Sequence, residues 1–219
     1  MRYIMNSMMT TQEVAKFLKV AEKTVEEWAN NGELPGAKLE DSWRFRRSDV
    51  DKFFKSQMVT APHKNVTDLK LDTLLSRERI IILEKADKKE LFDNMINLLA
   101  ATPYVKNASD LHNAVYEREE LMSTGIGLNL GIPHVRIKSV KDMAVAFALV
   151  KNGVDNYDSL DSEPVKLVFM IIAREDQHAQ HLKFLSQLST VLKDDDFRNS
   201  LINCSDNDEL YTLLCGGVR

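Results

Sequence analysis

The sequence predicts an α/β protein, a mixed sheet flanked by helices on both faces, preceded by a smaller N-terminal domain. Three observations carry that prediction. Two apolar runs, Met143–Val150 and Leu167–Ala173, fall far short of the ~20 residues of a membrane span and suit buried strands. Helical periodicity alternates with strand-like runs throughout the larger, C-terminal part, as in α/β domains. Between the two parts lies the segment 58–70, MVTAPHKNVTDLK, with one Pro, several turn formers and little periodicity, as expected of a linker. The expected organisation is therefore residues 1–57, a linker at 58–70, and 71–219.

Taken in order, Thr10-Thr11-Gln12-Glu13 fits a capping box, and Val14, Ala15, Phe17 and Leu18 give the following helix an apolar face. A second helix carries Val25, Trp28 and Ala29 and stops at Asn30-Asn31-Gly32. Leu34-Pro35-Gly36 is a turn, Trp43-Arg44-Phe45-Arg46 alternates as a short strand, and residues 48–54 close as a capped helix. Beyond the linker, Ile80–Leu83 reads as a strand and Lys88–Ala101 as a helix with Leu91, Phe92, Met95, Leu98 and Leu99 on one face. Ser109–Arg118 is a helix capped by Ser109. Strands follow at Gly127–Ile132, Met143–Val150 and Val165–Ala173, then helices at His178–Leu192, Asp195–Ile202 and Asp206–Leu214. Strands interleaved with helices argue for a sheet covered on both sides.

Composition bounds the function. Of 219 residues, 44% are hydrophobic and 28% charged, which excludes wholesale disorder. The first thirty residues lack an apolar core for secretion, so the chain is expected to be cytoplasmic, without membrane insertion. Cys204 and Cys215 are too few for a disulfide framework or a thiolate zinc site and read as free thiols. Net charge is -4, with Lys/Arg exceeding Asp/Glu by one in residues 1–57 and falling short by five in the rest. Neither part is a strongly basic module, so any DNA binding has to rest on a motif.

Such a motif exists. In residues 9–57 the features E-V-A, T-V-x-x-W, G-x-L-P, W-R-F and D-V-x-x-F occur in order. This segment resembles a small winged helix-turn-helix domain of the excisionase or mercury-resistance-regulator type. The resemblance implies DNA as a partner, with the second helix in the major groove. It assigns Lys23 and Thr24 to that helix and Arg44, Arg46 and Arg47 to phosphate contacts from the wing. Against DNA stand Ala21 at the cap position and Glu22, Glu26 and Glu27 on the same helix, which repel phosphates. A module adapted to protein contact is the rival reading.

The most unusual string is Arg118-Glu119-Glu120-Leu121-Met122-Ser123-Thr124-Gly125-Ile126-Gly127-Leu128-Asn129-Leu130-Gly131-Ile132-Pro133-His134. Pro133 lacks a backbone donor and is expected to mark a strand end, leaving His134 at the sheet's rim. The pattern G-x-G-x-x-x-G lacks the third glycine of a dinucleotide fingerprint and has no Gly-Lys-Ser/Thr, so it is neither that nor a P-loop. No G-x-S-x-G elbow accompanies His134.

The string resembles the active-site segment of phosphotransferase-system IIA domains of the mannitol/fructose class, which include the nitrogen-regulatory IIA proteins. The resemblance spans about residues 70–215 and includes His181-Leu182 on a late helix. It implies a phosphoryl group accepted on His134 from an HPr-type phosphocarrier and handed on to a sugar-specific IIB domain or a regulatory protein target. It calls for no cofactor and no metal. Physical chemistry agrees, because a neutral imidazole with an ordinary pKa of about 6.5 is a nucleophile near neutral pH. Arg118 has the fork geometry for phosphoryl oxygens, His181 can donate a further hydrogen bond, and backbone N–H groups of Ser123, Thr124 and Gly125 are expected in the phosphoryl environment. His178 and His181, at i and i+3 on one helix face, have the spacing to chelate a metal, but no Cys or carboxylate cluster supports a third ligand. Leu128, Asn129 and Val135 depart from the family's usual residues: Asn129 replaces a glycine and tolerates left-handed geometry, Val135 stands where a small residue is usual, and Leu128 is expected to alter the partner surface.

Overall fold

The computed structural model describes residues 8–18, 20–39, 42–50, 52–53 and 71–215. They fall into two compact units divided between Pro62 and His63. The expected linker at 58–70 lies outside the described residues.

The N-terminal unit contains the strands β1 (Met8–Thr10), β2 (Ala37–Leu39) and β3 (Ser42–Arg46) and the helices α1 (Thr11–Leu18) and α2 (Glu22–Asn30). The strands form an antiparallel sheet in the order β1-β3-β2. The capping box is present: Glu13 N donates to Thr10 Oγ1 (3.1 Å) and Thr10 N to Glu13 Oε2 (2.8 Å). Ala21 gives α2 no side-chain cap. Met9, Val14, Ala15, Val25, Leu34, Phe45 and Phe53 are buried together, with Trp28 and Trp43 packed against them. Residues 47–50 and 52–53 are helical, directly after β3. The helix expected at 48–54 thus starts a residue early, and positions 51 and 54 lie outside the described residues.

The larger unit is built on a mixed six-stranded sheet. Its strands are β4 (Ile80–Leu83), β6 (Gly125–Gly127), β7 (Leu130–Gly131), β8 (His134–Ile137), β9 (Ala144–Val150) and β11 (Leu167–Arg174). The short strands β5 (Ala86–Asp87) and β10 (Val154–Asp155) pair separately. The order is β4-β9-β11-β7-β6, with β8 also lying beside β11. β9 is antiparallel to β11, whereas β4 runs parallel to β9, and β7 and β8 run parallel to β11. The helices are α3 (Lys88–Ala100), α4 (Ala108–Leu121), α5 (His178–Val191), α6 (Asp195–Asn203) and α7 (Asn207–Cys215).

Every residue of β9 is buried, so both faces of the sheet are covered, as the uninterrupted apolar run required. Ala144, Ala146, Ala148, Val168, Met170, Ile172 and Val135 share a core with Leu91, Phe92, Met95 and Leu99 of α3 and Leu111 and Val115 of α4. The alternate residues, including Phe147 and Phe169 with ring centroids 4.6 Å apart, are buried on the other face. Because Val135 faces α3 and α4, His134 and Arg136 point to the opposite face.

Two expectations are corrected. The cap of α4 is Asn107, whose Oδ1 accepts from Ser109 N (3.0 Å) and Asp110 N (3.3 Å), so Ser109 sits inside the first turn. The expected strand Gly127–Ile132 is instead a hairpin, β6 against β7, with Gly127 opposite Leu130. Its two loop residues, Leu128 (φ 58°) and Asn129 (φ 62°), take the positive φ that a two-residue type I′ turn requires.

Candidate functional site

His134 begins β8 rather than ending a strand. β7 and β8 keep one register along β11, Leu130 opposite Leu167 and His134 opposite Ile171. Pro133 stands in the gap between them, its carbonyl accepting from Ile171 N (2.9 Å). The missing donor therefore splits one strand into two without ending the edge. His134 is half-buried, and its Nδ1 lies 2.7 Å from the Ile132 carbonyl oxygen. A carbonyl oxygen only accepts, so Nδ1 carries the hydrogen and the neutral ring's lone pair sits on Nε2.

His181 comes from the first turns of α5 and is 3% exposed. Its ring centroid is 5.7 Å from that of His134, at 45° between planes. The structure thus brings together two of the three residues that sequence singled out for catalysis. Burial, and then the charge of Arg136, push the imidazole of His178 below its ordinary value. Among the described residues, no group of three or more His, Cys, Asp or Glu side chains is arranged to hold a metal ion.

Arg118 is 8% exposed in the last turn of α4, a helix that packs against β8. Its Nη1 donates to the Met122 carbonyl (3.0 Å), fixing the exit of the chain from the helix. Its neighbour Glu119 is 7% exposed and collects the residues expected around the phosphoryl group. Glu119 accepts from Thr124 N (3.1 Å to Oε2), Thr124 Oγ1 (2.6 Å) and Lys88 Nζ (3.0 Å); Ser123 Oγ lies 3.1 Å from its Oε1, but its one hydrogen goes to the closer Asp158 carbonyl. The single hydroxyl hydrogen of Thr124 is committed to the carboxylate, so Tyr157 donates its own to Thr124 Oγ1 across 2.7 Å. Burial, reinforced by the Glu119 charge, holds the Tyr157 phenol well above its ordinary value. The Gly125 amide reaches Ser123 Oγ at 3.4 Å. The amides of Thr124 and Gly125, expected to face a phosphoryl group, are therefore already engaged in building the loop.

A segment that sequence reasoning passed over, residues 157–164, braces the hairpin. Ser123 Oγ donates to the Asp158 carbonyl (2.7 Å), Gly127 N to Ser159 Oγ (3.1 Å), Leu128 N to Asp161 Oδ2 (2.7 Å), and Asn129 Nδ2 to the Pro164 carbonyl (2.8 Å). Hydrogen bonds from Leu128 and Glu163 amides hold the Asp161 carboxyl below its ordinary range, against a smaller cost of burial. Glu119 also lacked an assigned role, although a signal was present: it follows the buried Leu111 and Val115 at four-residue steps, so its carboxylate falls on a core-facing stripe.

In the N-terminal unit, Lys23 and Arg46 are exposed, and Thr24 and Arg44 half-buried. Arg44 Nη1 donates to the Trp43 carbonyl (3.1 Å). The Arg47 guanidinium stacks on Phe17, 4.3 Å from the ring centroid. Of the five residues assigned to DNA, Lys23 and Arg46 are the two presented most openly.

Residues 73–215 match the family model described as "Phosphoenolpyruvate-dependent sugar phosphotransferase system, EIIA 2", and residues 8–58 match a "Helix-turn-helix domain". Over 147 residues, 67% of its length, the chain is 35% identical to the "PTS system fructose-specific EIIABC component" of Bacillus subtilis, of which the match spans 23%. It is 32% identical over 157 residues to the "PTS system fructose-specific EIIA component" of Haloferax volcanii, covering 71% of this chain and 99% of that one. Among solved structures, the nitrogen regulatory protein IIA-Ntr of Neisseria meningitidis superposes with a TM-score of 0.60 at 30% identity, covering 65% of this chain and 97% of its own. Together with the sheet, the hairpin and the paired histidines, these matches mean that the chain belongs to the EIIA 2 family of the phosphoenolpyruvate-dependent sugar phosphotransferase system, and carries a helix-turn-helix domain ahead of it.

Proposed function

We propose that this protein is a cytoplasmic regulatory phosphocarrier that accepts a phosphoryl group on His134 from an HPr-type carrier. Residues 71–219 form the phosphoacceptor domain, 58–70 the linker and 1–57 the output domain, which couples phosphotransfer state to transcription or to a protein partner. The observation that carries the reading is the 2.7 Å contact between His134 Nδ1 and the Ile132 carbonyl. It puts the lone pair on Nε2, in a half-buried ring beside a second histidine.

In the transfer, the Nε2 lone pair forms the new N–P bond as the donor's bond to phosphorus breaks, its electrons returning to the donor. The Nδ1 proton stays in place, shared with the Ile132 carbonyl. Charge gained by the ring is offset by the phosphoryl oxygens, towards which Arg118 and His181 supply hydrogen-bond donors. Ser123, Thr124 and Gly125 contribute by holding the loop. The test is intact mass after incubation with phosphoenolpyruvate, Enzyme I and an HPr-type carrier. An acid-labile phosphate gain, lost in His134→Ala, supports the reading; no gain with several carriers overturns it.

A second reading is favoured by the Haloferax relative, whose printed name is a fructose-specific EIIA component matched over nearly its whole length. In that reading the chain passes its phosphoryl group to a sugar-specific IIB domain and residues 1–57 serve docking. Transfer from the phosphorylated protein to a IIB domain separates the two.

A further inference from the structure

We infer that Glu119 is a positioning residue for the phosphoacceptor, acting on His134 through a continuous series of hydrogen bonds. The inference rests on the reading of His134 as the residue that takes the phosphoryl group. The series has three links. The Thr124 amide donates to Glu119 Oε2 (3.1 Å), the Ile132 amide donates to the Thr124 carbonyl (3.0 Å), and His134 Nδ1 donates to the Ile132 carbonyl (2.7 Å). Each link fixes the residue that holds the next, so a carboxylate buried behind the hairpin sets the position of a carbonyl that selects the tautomer of His134. Glu119 is buried, its oxygens being taken up by Thr124 and Lys88.

An ionised acceptor at the head of the series holds Thr124 more tightly than a neutral one does. The Lys88 ammonium, 3.0 Å away and half-buried, stabilises that charge, and Tyr157 braces the Thr124 hydroxyl from the other side at 2.7 Å. The arrangement explains why a carboxylate occupies a core-facing position, where an apolar residue pairs better with Leu111 and Val115. It also separates two duties of adjacent residues: Arg118 fixes the Met122 carbonyl, and Glu119 fixes Thr124.

The test uses the full chain labelled with ¹⁵N-histidine. The ring nitrogens of His134 report the tautomer directly, and phosphoryl uptake from a phosphorylated HPr-type carrier reports function. In the wild type the Nδ1–H tautomer is expected to dominate. Glu119→Gln is expected to mix the tautomers and to slow uptake roughly 10- to 100-fold at saturating carrier, as displacements of this size do, with KM for the carrier unchanged. Glu119→Asp, which keeps the charge, should recover part of the rate. A Glu119→Gln protein with the wild-type tautomer and rate overturns the proposal, as does one that only loses thermal stability. Should Glu119→Gln fail to fold, Thr124→Val removes one of the carboxylate's two holds on Thr124; a shifted tautomer and a severalfold slower uptake support the proposal, and an unchanged pair of readouts overturns it. A wild-type protein that takes up no phosphoryl group sinks the phosphoacceptor reading itself, and that arm is read independently of the variants.

Discussion

At the scale of single residues, the hairpin before His134 has almost no tolerance. A Cβ on Gly125 would lie 2.2 Å from the Asp158 carbonyl oxygen, a backbone atom with no flexible side chain to yield. Gly125→Ala is therefore expected to cost about 1–3 kcal/mol through forced separation of hairpin and loop, read from the urea midpoint of the larger unit. Leu128 is the reverse case. It is 48% exposed and sits at φ 58°, where a branched side chain is disfavoured by roughly 1–2 kcal/mol. Leu128→Asn should stabilise the protein by about 1 kcal/mol on the same scale; an unchanged or lower midpoint shows that the leucine compensates by packing.

At the scale of elements, local chemistry decides which parts the sequence discloses. Long periodic helices such as α3 and the apolar runs of β9 and β11 were legible because 13, 7 and 8 residues repeat one pattern. The capping box at Thr10 was legible for the same reason, since its two residues lie three apart. The hairpin was not, because Leu-Asn is a weak signal for a turn that usually takes Asn-Gly. β1, β7 and β8 are two to four residues long and are defined by their partners rather than by their own alternation. Pro133 was expected to end a strand, yet β11 imposes one register on both sides of it. At the site, His134 was singled out by the string that ends on it, and His181 by the resemblance that extends to the late helix. The burial of Glu119 follows the stripe of Leu111 and Val115, but its role was not legible, since its partners include Lys88, 31 positions away, and Thr124, itself braced by Tyr157. The uncapped α2 offers a direct check on element energetics: Ala21→Ser supplies the missing acceptor and should stabilise the N-terminal unit by about 1 kcal/mol, measured by thermal unfolding.

At the scale of the whole molecule, pH and salt separate the two units. His178 is held below its ordinary value of 6.5, by burial first and the Arg136 charge second, with Glu175 as the acidic neighbour of Arg136. The unfolded chain therefore binds this proton before the folded one as pH falls. Stability contributed above about 6.5 is lost as pH drops toward the folded value. Unfolding free energy of the larger unit should fall as pH drops below about 7, and His178→Gln should flatten that slope; an unaltered slope assigns it to other groups. For the N-terminal unit, Lys23 and Arg46 are exposed, and Lys23 shares α2 with the exposed Glu22, Glu26 and Glu27. DNA binding by the full chain should weaken steeply with added salt, and Arg46→Ala should lower the salt slope by about one. No binding at low salt moves this domain to protein contact. The central claim remains the nitrogen that takes the phosphoryl group. We would record ³¹P and ¹⁵N spectra of the ¹⁵N-histidine-labelled protein after phosphorylation by its carrier. A phosphorus–nitrogen coupling to Nε2 of His134, with Nδ1 still engaged by the Ile132 carbonyl, is the predicted result; coupling to Nδ1, to another histidine or to none contradicts it.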